Sequence, residues 1–511
     1  MTGERGAPPA VLVLTIVGLG AFVTALDQTV VVTALPSVML DLKIPFTQLD
    51  RVSWVITSYL LGYTVAMPLI GRLGDVYGYA RVYKVSLVVF SIGTCLVAIS
   101  PSLEWMVAAR VIQAVGGGAT VPLGMAIASH ALPRHRQGLA LGIVGASAEL
   151  GSMLGPAYGG AIVELLNWRW IFWLNVPQSA LLFLGLMWLP SRRDRQARVD
   201  YLGGALLVAT LAVLSLALSR EGLFTMSSSK PFIIGAPALV LVAALIILER
   251  RSRQPLLAPL FFKSRAFLAA NLTQFLVGVS LIIAMVTVPL MANTVMAKPP
   301  FTGALWLLRL TGPIPVGAVL GGLALPVLGV RPVTMAGLAL VAVGLFLAST
   351  WDIGVGEPQL TLHLAAAGLG FGLVIAPITV RAINAVSEDY RGTAASLVVV
   401  ARMLGMTLGL AALSAWGVEH FQVLTAGIES PLFQSVEASV EASEGLQTRL
   451  EEYTAQAAAA GLSLFHNFFR IAGGTALVAI PVALVMGSER REPEKDQSDA
   501  PGSDATGSDA T

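Results

Sequence analysis

The sequence predicts an all-α protein that crosses a membrane many times. Composition is the first reason: hydrophobic residues fill 55% of 511 positions and charged residues only 12%, where a soluble domain is about one quarter charged. The second is the recurrence of apolar runs about 20 residues long, the length that crosses a bilayer core as a helix. The third is that Lys and Arg collect in alternate connections.

Taken in order, the runs cover 10–40, 50–70, 82–100, 103–128, 138–164, 170–190, 201–219, 231–249, 266–292, 302–329, 332–350, 359–385, 392–417 and 463–487. That is about 14 spans. Residues 1–9 are short and polar, and the first run is already of spanning length, so no cleavable signal is expected. One set of connections carries Arg72, Arg81 and Lys84; Arg134 and Arg136; Arg192, Arg193, Arg195 and Arg198; then Arg250, Arg251, Arg253, Lys263 and Arg265. The opposite set holds only Lys43, Arg51, Arg169, Lys230 and Lys298. The basic set marks the cytoplasmic face of a cell membrane and puts both termini there. The basic runs after spans six and eight divide the chain into a six-helix bundle over 10–190, two linker helices over 191–265 and a second six-helix bundle over 266–487. Residues 488–511 are polar and repetitive, the composition of a disordered cytoplasmic tail.

Buried charge is the main functional signal. Asp27 lies deep in the apolar run from Val11 to Pro36. A carboxylate at that depth costs about 3 kcal/mol on insertion scales unless it is protonated, paired or facing a wet cavity. Glu149 in span five is the second deep acid, and Arg110 and Arg402, in spans four and thirteen, are bases at comparable depth. An arginine is always charged and needs a partner there. Glu149 and Arg402 can pair across the two bundles. A carboxylate that exchanges an arginine for a proton makes a coupling site, so Asp27 and Glu149 are the proton-coupling candidates and Arg110 and Arg402 their charge partners. His363, Arg309, Arg381 and Arg470 lie nearer span ends, where long side chains snorkel. Gln113, Asn271 and Gln274 either face a substrate cavity or bond neighbouring helices. Cys95, the single cysteine, reads as a small buried hydrophobe.

Enzyme chemistry finds no support. No Gly-Lys pair exists for a phosphate-binding loop. The histidines at 130, 135, 363, 420 and 466 show no metal-ligand spacing. Neither a cofactor nor a metal is expected, the energy source being a proton gradient. The net charge of +2 gives no reason to expect a nucleic-acid partner.

Four motifs in order carry a resemblance. Leu26, Asp27, Thr29 and Pro36 lie in span one. Gly71, Gly74, Asp75, Gly78 and Arg81 follow span two, where Asp75 can cap a neighbouring helix or pair with Arg81. Arg110, Gln113, Gly116 and Gly118 lie in span four. Gly151, Gly155, Pro156, Gly159 and Gly160 lie in span five, small residues at spacings that let helices approach closely. Together with Trp168 to Pro177 they resemble the major facilitator superfamily in its fourteen-span drug:proton antiporter branch, over essentially the whole chain. The resemblance implies a major facilitator fold and alternating access by rocking of two bundles. Tyr79 and Ala80 stand where that pattern has basic residues, and the matching turn of the second half, Leu325 to Arg331, has no acid. Ser147 to Pro156 and the approach to span two also resemble the mycobacterial facilitators that export triacylglycerides with a periplasmic lipoprotein.

The function expected is proton-coupled export of small hydrophobic, drug-like or lipid compounds, with membrane lipids and an extracytoplasmic lipoprotein as partners. The alternative is a lipid-presenting or scaffold membrane protein with no use for protons. Residues 417–461 form an extracytoplasmic segment, and the helix formers from Glu444 onward run without proline as far as Pro481. A helix from Glu444 to Met486 would be about 64 Å long, against about 30 Å for a bilayer core.

Overall fold

The computed structural model describes residues 9–44, 49–52, 54–189, 263–425 and 443–487, with isolated positions between 203 and 247. All regular structure among the described residues is helical, and eleven helices there are long and apolar enough to cross a membrane. The expected spans at 201–219 and 231–249, the tail 488–511 and the middle of the segment 417–461 lie outside the described residues.

The first half contains α1 (Ala10–Asp41), α2 (Trp54–Tyr77), α3 (Tyr79–Ala98), α4 (Leu103–Gly117), α5 (Thr120–Ala131), α6 (Gln137–Leu165) and α7 (Arg169–Leu186). The second contains α8 (Arg265–Thr294), α9 (Pro300–Thr311), α10 (Pro313–Leu328), α11 (Val330–Ala348), α12 (Glu357–Leu373), α13 (Ile375–Asn384), α14 (Arg391–Thr425) and α15 (Ser443–Val485). Three expected spans are broken helices: α4/α5 at Gly118 and Ala119, α9/α10 at Gly312, and α12/α13 at Val374. Two more outrun their apolar stretches. α14 reaches Thr425, and α15 spans 43 residues, about 64 Å of helix.

Each half packs its first helix on its fifth. In the first half α1 lies along α6, in the second α8 lies along α14. Both contacts need glycine. A Cβ at Gly151 would sit 2.2 Å from the Phe22 carbonyl oxygen, one at Gly155 2.0 Å from Thr29 Oγ1, and one at Gly159 2.5 Å from the Val30 carbonyl oxygen. Gly278 and Gly405 do the same for α8 and α14, against the carbonyls of Arg402 and Phe275. Small residues let backbones approach where lipid supplies no hydrophobic driving force between helices. Gly160 is a correction to the packing motif: a Cβ there would meet nothing within 4 Å, so it belongs to another face of α6. Pro156, also in the motif, is exposed within α6.

The halves meet through α2 against α14 and α6 against α10. Both contacts are tightest at one end. A Cβ at Gly71 would lie 2.7 Å from the Gly392 carbonyl, and one at Gly322 2.4 Å from that of Gly138. The tight turns at this end use Gly78 and Gly329, with φ of 91° and 81°, a region costly for side-chain residues.

Candidate functional site

Among the described residues, two charge pairs sit within the span region, and they differ in surroundings. Asp27 and Arg110 form the first, with Arg110 Nη1 3.0 Å from Asp27 Oδ2 and both side chains fully buried. Asp27 Oδ1 accepts from Gln113 Nε2 at 3.1 Å and from Asn175 Nδ2 at 2.6 Å. Gln113 closes the ring: its Oε1 accepts from Arg110 Nη1 at 2.7 Å, while its Nε2 also reaches Thr94 Oγ1 at 2.9 Å. The Arg110 guanidinium lies 4.1 Å from the centre of the Tyr59 ring and 5.7 Å from that of Phe172. Aromatic faces attract a desolvated cation. The cluster therefore draws on α1, α2, α3, α4 and α7 and lies wholly inside the first half.

This arrangement suits a carboxylate. Three donors converge on two oxygens, and an isolated charge in such a place would cost several kcal/mol, on the order of the 3–5 lost when a buried pair is broken. It also corrects one expectation. Gln113 does not line a substrate cavity: it is buried and committed to Asp27, Arg110 and Thr94. Asn271 and Gln274 divide. The Asn271 amide donates to the Phe267 carbonyl of its own helix at 2.9 Å, whereas Gln274 is buried on α8 with Oε1 unpartnered among the described residues.

Glu149 and Arg402 form the second pair, 2.5 Å apart, with side chains 16% and 15% exposed. Glu149 lies 12 residues into α6 and Arg402 11 residues into α14, so the pair is roughly 17 Å in from the closed end at 1.5 Å per residue. It joins the fifth helices of the two halves at about mid-depth, and it is the deepest of the hydrogen bonds between halves described here.

The others cluster at the closed end. Asp75 accepts from the backbone N–H groups of Gly392 at 2.7 Å and Thr393 at 3.0 Å, from Thr393 Oγ1 at 2.6 Å, and from Tyr79 Oη at 2.8 Å. A carboxylate of α2 thus caps α14 of the other half, where unpaired N–H groups and the helix dipole favour negative charge. Arg81 is exposed and takes no part, so of the two roles open to Asp75 the structure has the cap. Arg72 donates to the Asp389 carbonyl at 3.1 Å and lies over the Tyr390 ring. Asn384 donates to Gln137 Oε1 at 3.1 Å.

Sequence reasoning missed Asn175, Thr94 and Tyr59 as members of the Asp27 cluster. Asn175 did leave a signal, an amide alone among Trp170, Phe172 and Trp173 in an apolar run. Thr94 and Tyr59 left none, because threonine and tyrosine are ordinary in spans.

Curated relatives share this chain at a level that fixes the family. The triacylglyceride transporter of Mycolicibacterium hassiacum is 38% identical over 422 residues, 79% of this chain and 78% of its own. The triacylglyceride transporter of Mycobacterium tuberculosis is 37% identical over 439 residues, 81% of this chain and 84% of its own. Among solved structures, the human organic anion transporter TETRAN matches with a TM-score of 0.61 at 16% identity, covering 93% of this chain and 100% of that one. The proton:xylose symporter XylE, bound to 6-bromo-6-deoxy-D-glucose, matches at 0.59 and 14%, covering 92% and 94%. Likeness at that identity speaks for the fold alone. The family pattern itself matches residues 17–410. A chain with this helix order, these relatives and that match belongs to the Major Facilitator Superfamily and is a multi-pass membrane transporter, not an enzyme.

Proposed function

We propose that the protein is a proton-coupled exporter of hydrophobic and amphipathic molecules, lipids foremost, working by alternating access in the cell membrane. The observation that carries the coupling is Asp27: a carboxylate sealed among Arg110, Gln113 and Asn175, in a transporter, with no other acid in its cluster. The cargo class rests on the triacylglyceride-transporter names of the relatives. Drug-sized compounds belong to the same reading through their shared apolar character.

In this reading the closed end faces the cytoplasm with both termini, because it carries the Arg-rich connections. Proton arrival at Asp27 or Glu149 loosens its arginine partner, and the halves rock about the α2–α14 and α6–α10 contacts. The division into two six-helix bundles with a two-helix linker belongs to this proposal, as does a periplasmic lipoprotein that receives lipid. The protruding length of α15 favours a second reading, a lipid-presenting protein that needs a partner and no protons.

The test is transport in proteoliposomes with a neutral lipid and a cationic drug as competing cargoes and an imposed pH gradient. Export that rises with the gradient and collapses with an ionophore is expected. Lipid movement indifferent to the gradient would favour the scaffold.

A further inference from the structure

The closed end holds a titratable side chain that neither charge pair uses. His130, exposed near the end of α5, meets Arg391 at the start of α14, with Nε2 2.9 Å from Arg391 Nη1. Its Nδ1 lies 2.9 Å from the Ala126 carbonyl oxygen and 3.2 Å from Ser129 Oγ. A carbonyl only accepts, so Nδ1 carries the proton; a guanidinium only donates, so Nε2 is bare. The contact therefore exists only with a neutral imidazole. A second proton would set N–H against N–H and place a second positive charge beside Arg391.

The charged and titratable surroundings do not hide that charge. Arg391 also pairs with Glu388 at 2.9 Å, and Glu388 is largely exposed. On α3, the Tyr79 ring lies 6.0 Å from that of His130, and its hydroxyl is committed to Asp75. Arg72 is held over Tyr390, Tyr83 is turned towards Gly20 of α1, and the exposed Arg134, His135 and Arg136 follow in the chain. The set is more basic than acidic, so an added proton gains little compensation. Tyr79 occupies one of the two positions where the family pattern has basic residues, which leaves the space beside Asp75 to an aromatic ring and this histidine.

We infer that His130 is a protonation-sensitive pin of the closed end: neutral, it accepts from Arg391 and ties α5 to α14 across the two halves; protonated, it repels Arg391 and lets that end open. The inference rests on the alternating-access reading above. Histidine is the side chain whose ordinary charge change falls between about pH 5 and 8, so the pin would answer to acidification of the side that the closed end faces.

Spin labels on Val85→Cys and Val327→Cys, in a Cys95→Ser background, report the separation of the halves. Both positions are exposed, at 59% and 82%, near the closed end, one on each half. Distances are measured in nanodiscs from pH 8 to pH 5. The wild type is expected to gain open population by roughly tenfold, the scale of one hydrogen bond to a charged group. His130→Gln, an uncharged acceptor at every pH, should lose most of this acid response, and His130→Lys should be open throughout. If His130→Gln opens with acid as the wild type does, or if acid closes the wild type, the pin is wrong although rocking stands. One unchanging distance in every variant and at every pH would instead overturn the rocking on which the inference depends.

Discussion

The Glu149–Arg402 contact supports a quantitative expectation. Exposed ion pairs contribute about 0.2–1 kcal/mol, whereas breaking a fully buried pair costs about 3–5 kcal/mol. Here the side chains are 16% and 15% exposed, the separation is 2.5 Å, and Arg402 Nε has no partner among the described residues. An intermediate coupling of about 2 kcal/mol follows, close to thirtyfold in the population of the state in which they touch. Glu149→Gln leaves Arg402 an unpaired charge, and Arg402→Gln does the same to Glu149. Each single change should lower the closed population sharply, while the double change should cost clearly less than their sum. The assay is a double-mutant cycle on the inter-half distance distribution, with thermal unfolding of the same four proteins as a check on folding. Effects that add within about 0.5 kcal/mol would refute the coupling.

Three further outcomes are expected. Asp75→Asn replaces an acceptor-only group with an amide whose N–H₂ must face the N–H groups of Gly392 and Thr393; losing about one charged hydrogen bond, 1.5–3 kcal/mol, should favour opening at the Gly71–Gly392 end, read as faster thiol labelling of a cysteine at Ser396, and unchanged labelling would contradict the cap. Gly155→Val puts a branched side chain where even a Cβ lies 2.0 Å from Thr29 Oγ1; unfolding midpoint and yield should fall together, with Gly160→Ala near neutral as its control, and equal behaviour of the two would sink the packing account. Replacing Val418–Ala460 with a short flexible linker removes the part of α15 that exceeds a bilayer core; lipid export should drop while small-drug export persists, and retention of both would remove the helix from the mechanism.

Much of the fold was legible because apolar length is a direct consequence of bilayer thickness. The end of α14 was less so, since its apolar run stops near 417 while the helix reaches Thr425; the length of α15 was legible, because the residues from Glu444 to Ala460 favour helix and no proline interrupts them before Pro481. The breaks at Gly312 and Val374 were hidden from hydropathy because both lie within apolar runs, although Pro313 and Pro377 follow them and a proline removes a helix donor and disfavours the preceding turn. In the site, Asp27 stood out because a carboxylate in an apolar run has an energetic cost that calls for a cause. Its partner was less plain. Arg110 and Arg402 were both legible as deep bases, and the pairing of Arg402 with Glu149 across the bundles was expected, but that Arg110 closes on Asp27 inside one half needed the helix arrangement. Both readings of Gln113 stayed open for the same reason, because an amide facing a cavity and an amide bonded to a buried ion pair leave the same letter.

The central claim is that export is coupled to a proton through Asp27. The most direct measurement is simultaneous flux of protons and a labelled lipid cargo in proteoliposomes, comparing the wild type with Asp27→Asn at equal folded protein. Breaking this pair leaves Arg110 buried and unpaired, so Asp27→Asn combined with Arg110→Gln serves as the check that any loss is of coupling and not of fold. The account predicts gradient-driven accumulation with proton entry in the wild type. It predicts neither accumulation nor coupled proton entry in the variants, with downhill cargo movement still possible. Accumulation by Asp27→Asn at the wild-type rate would contradict it.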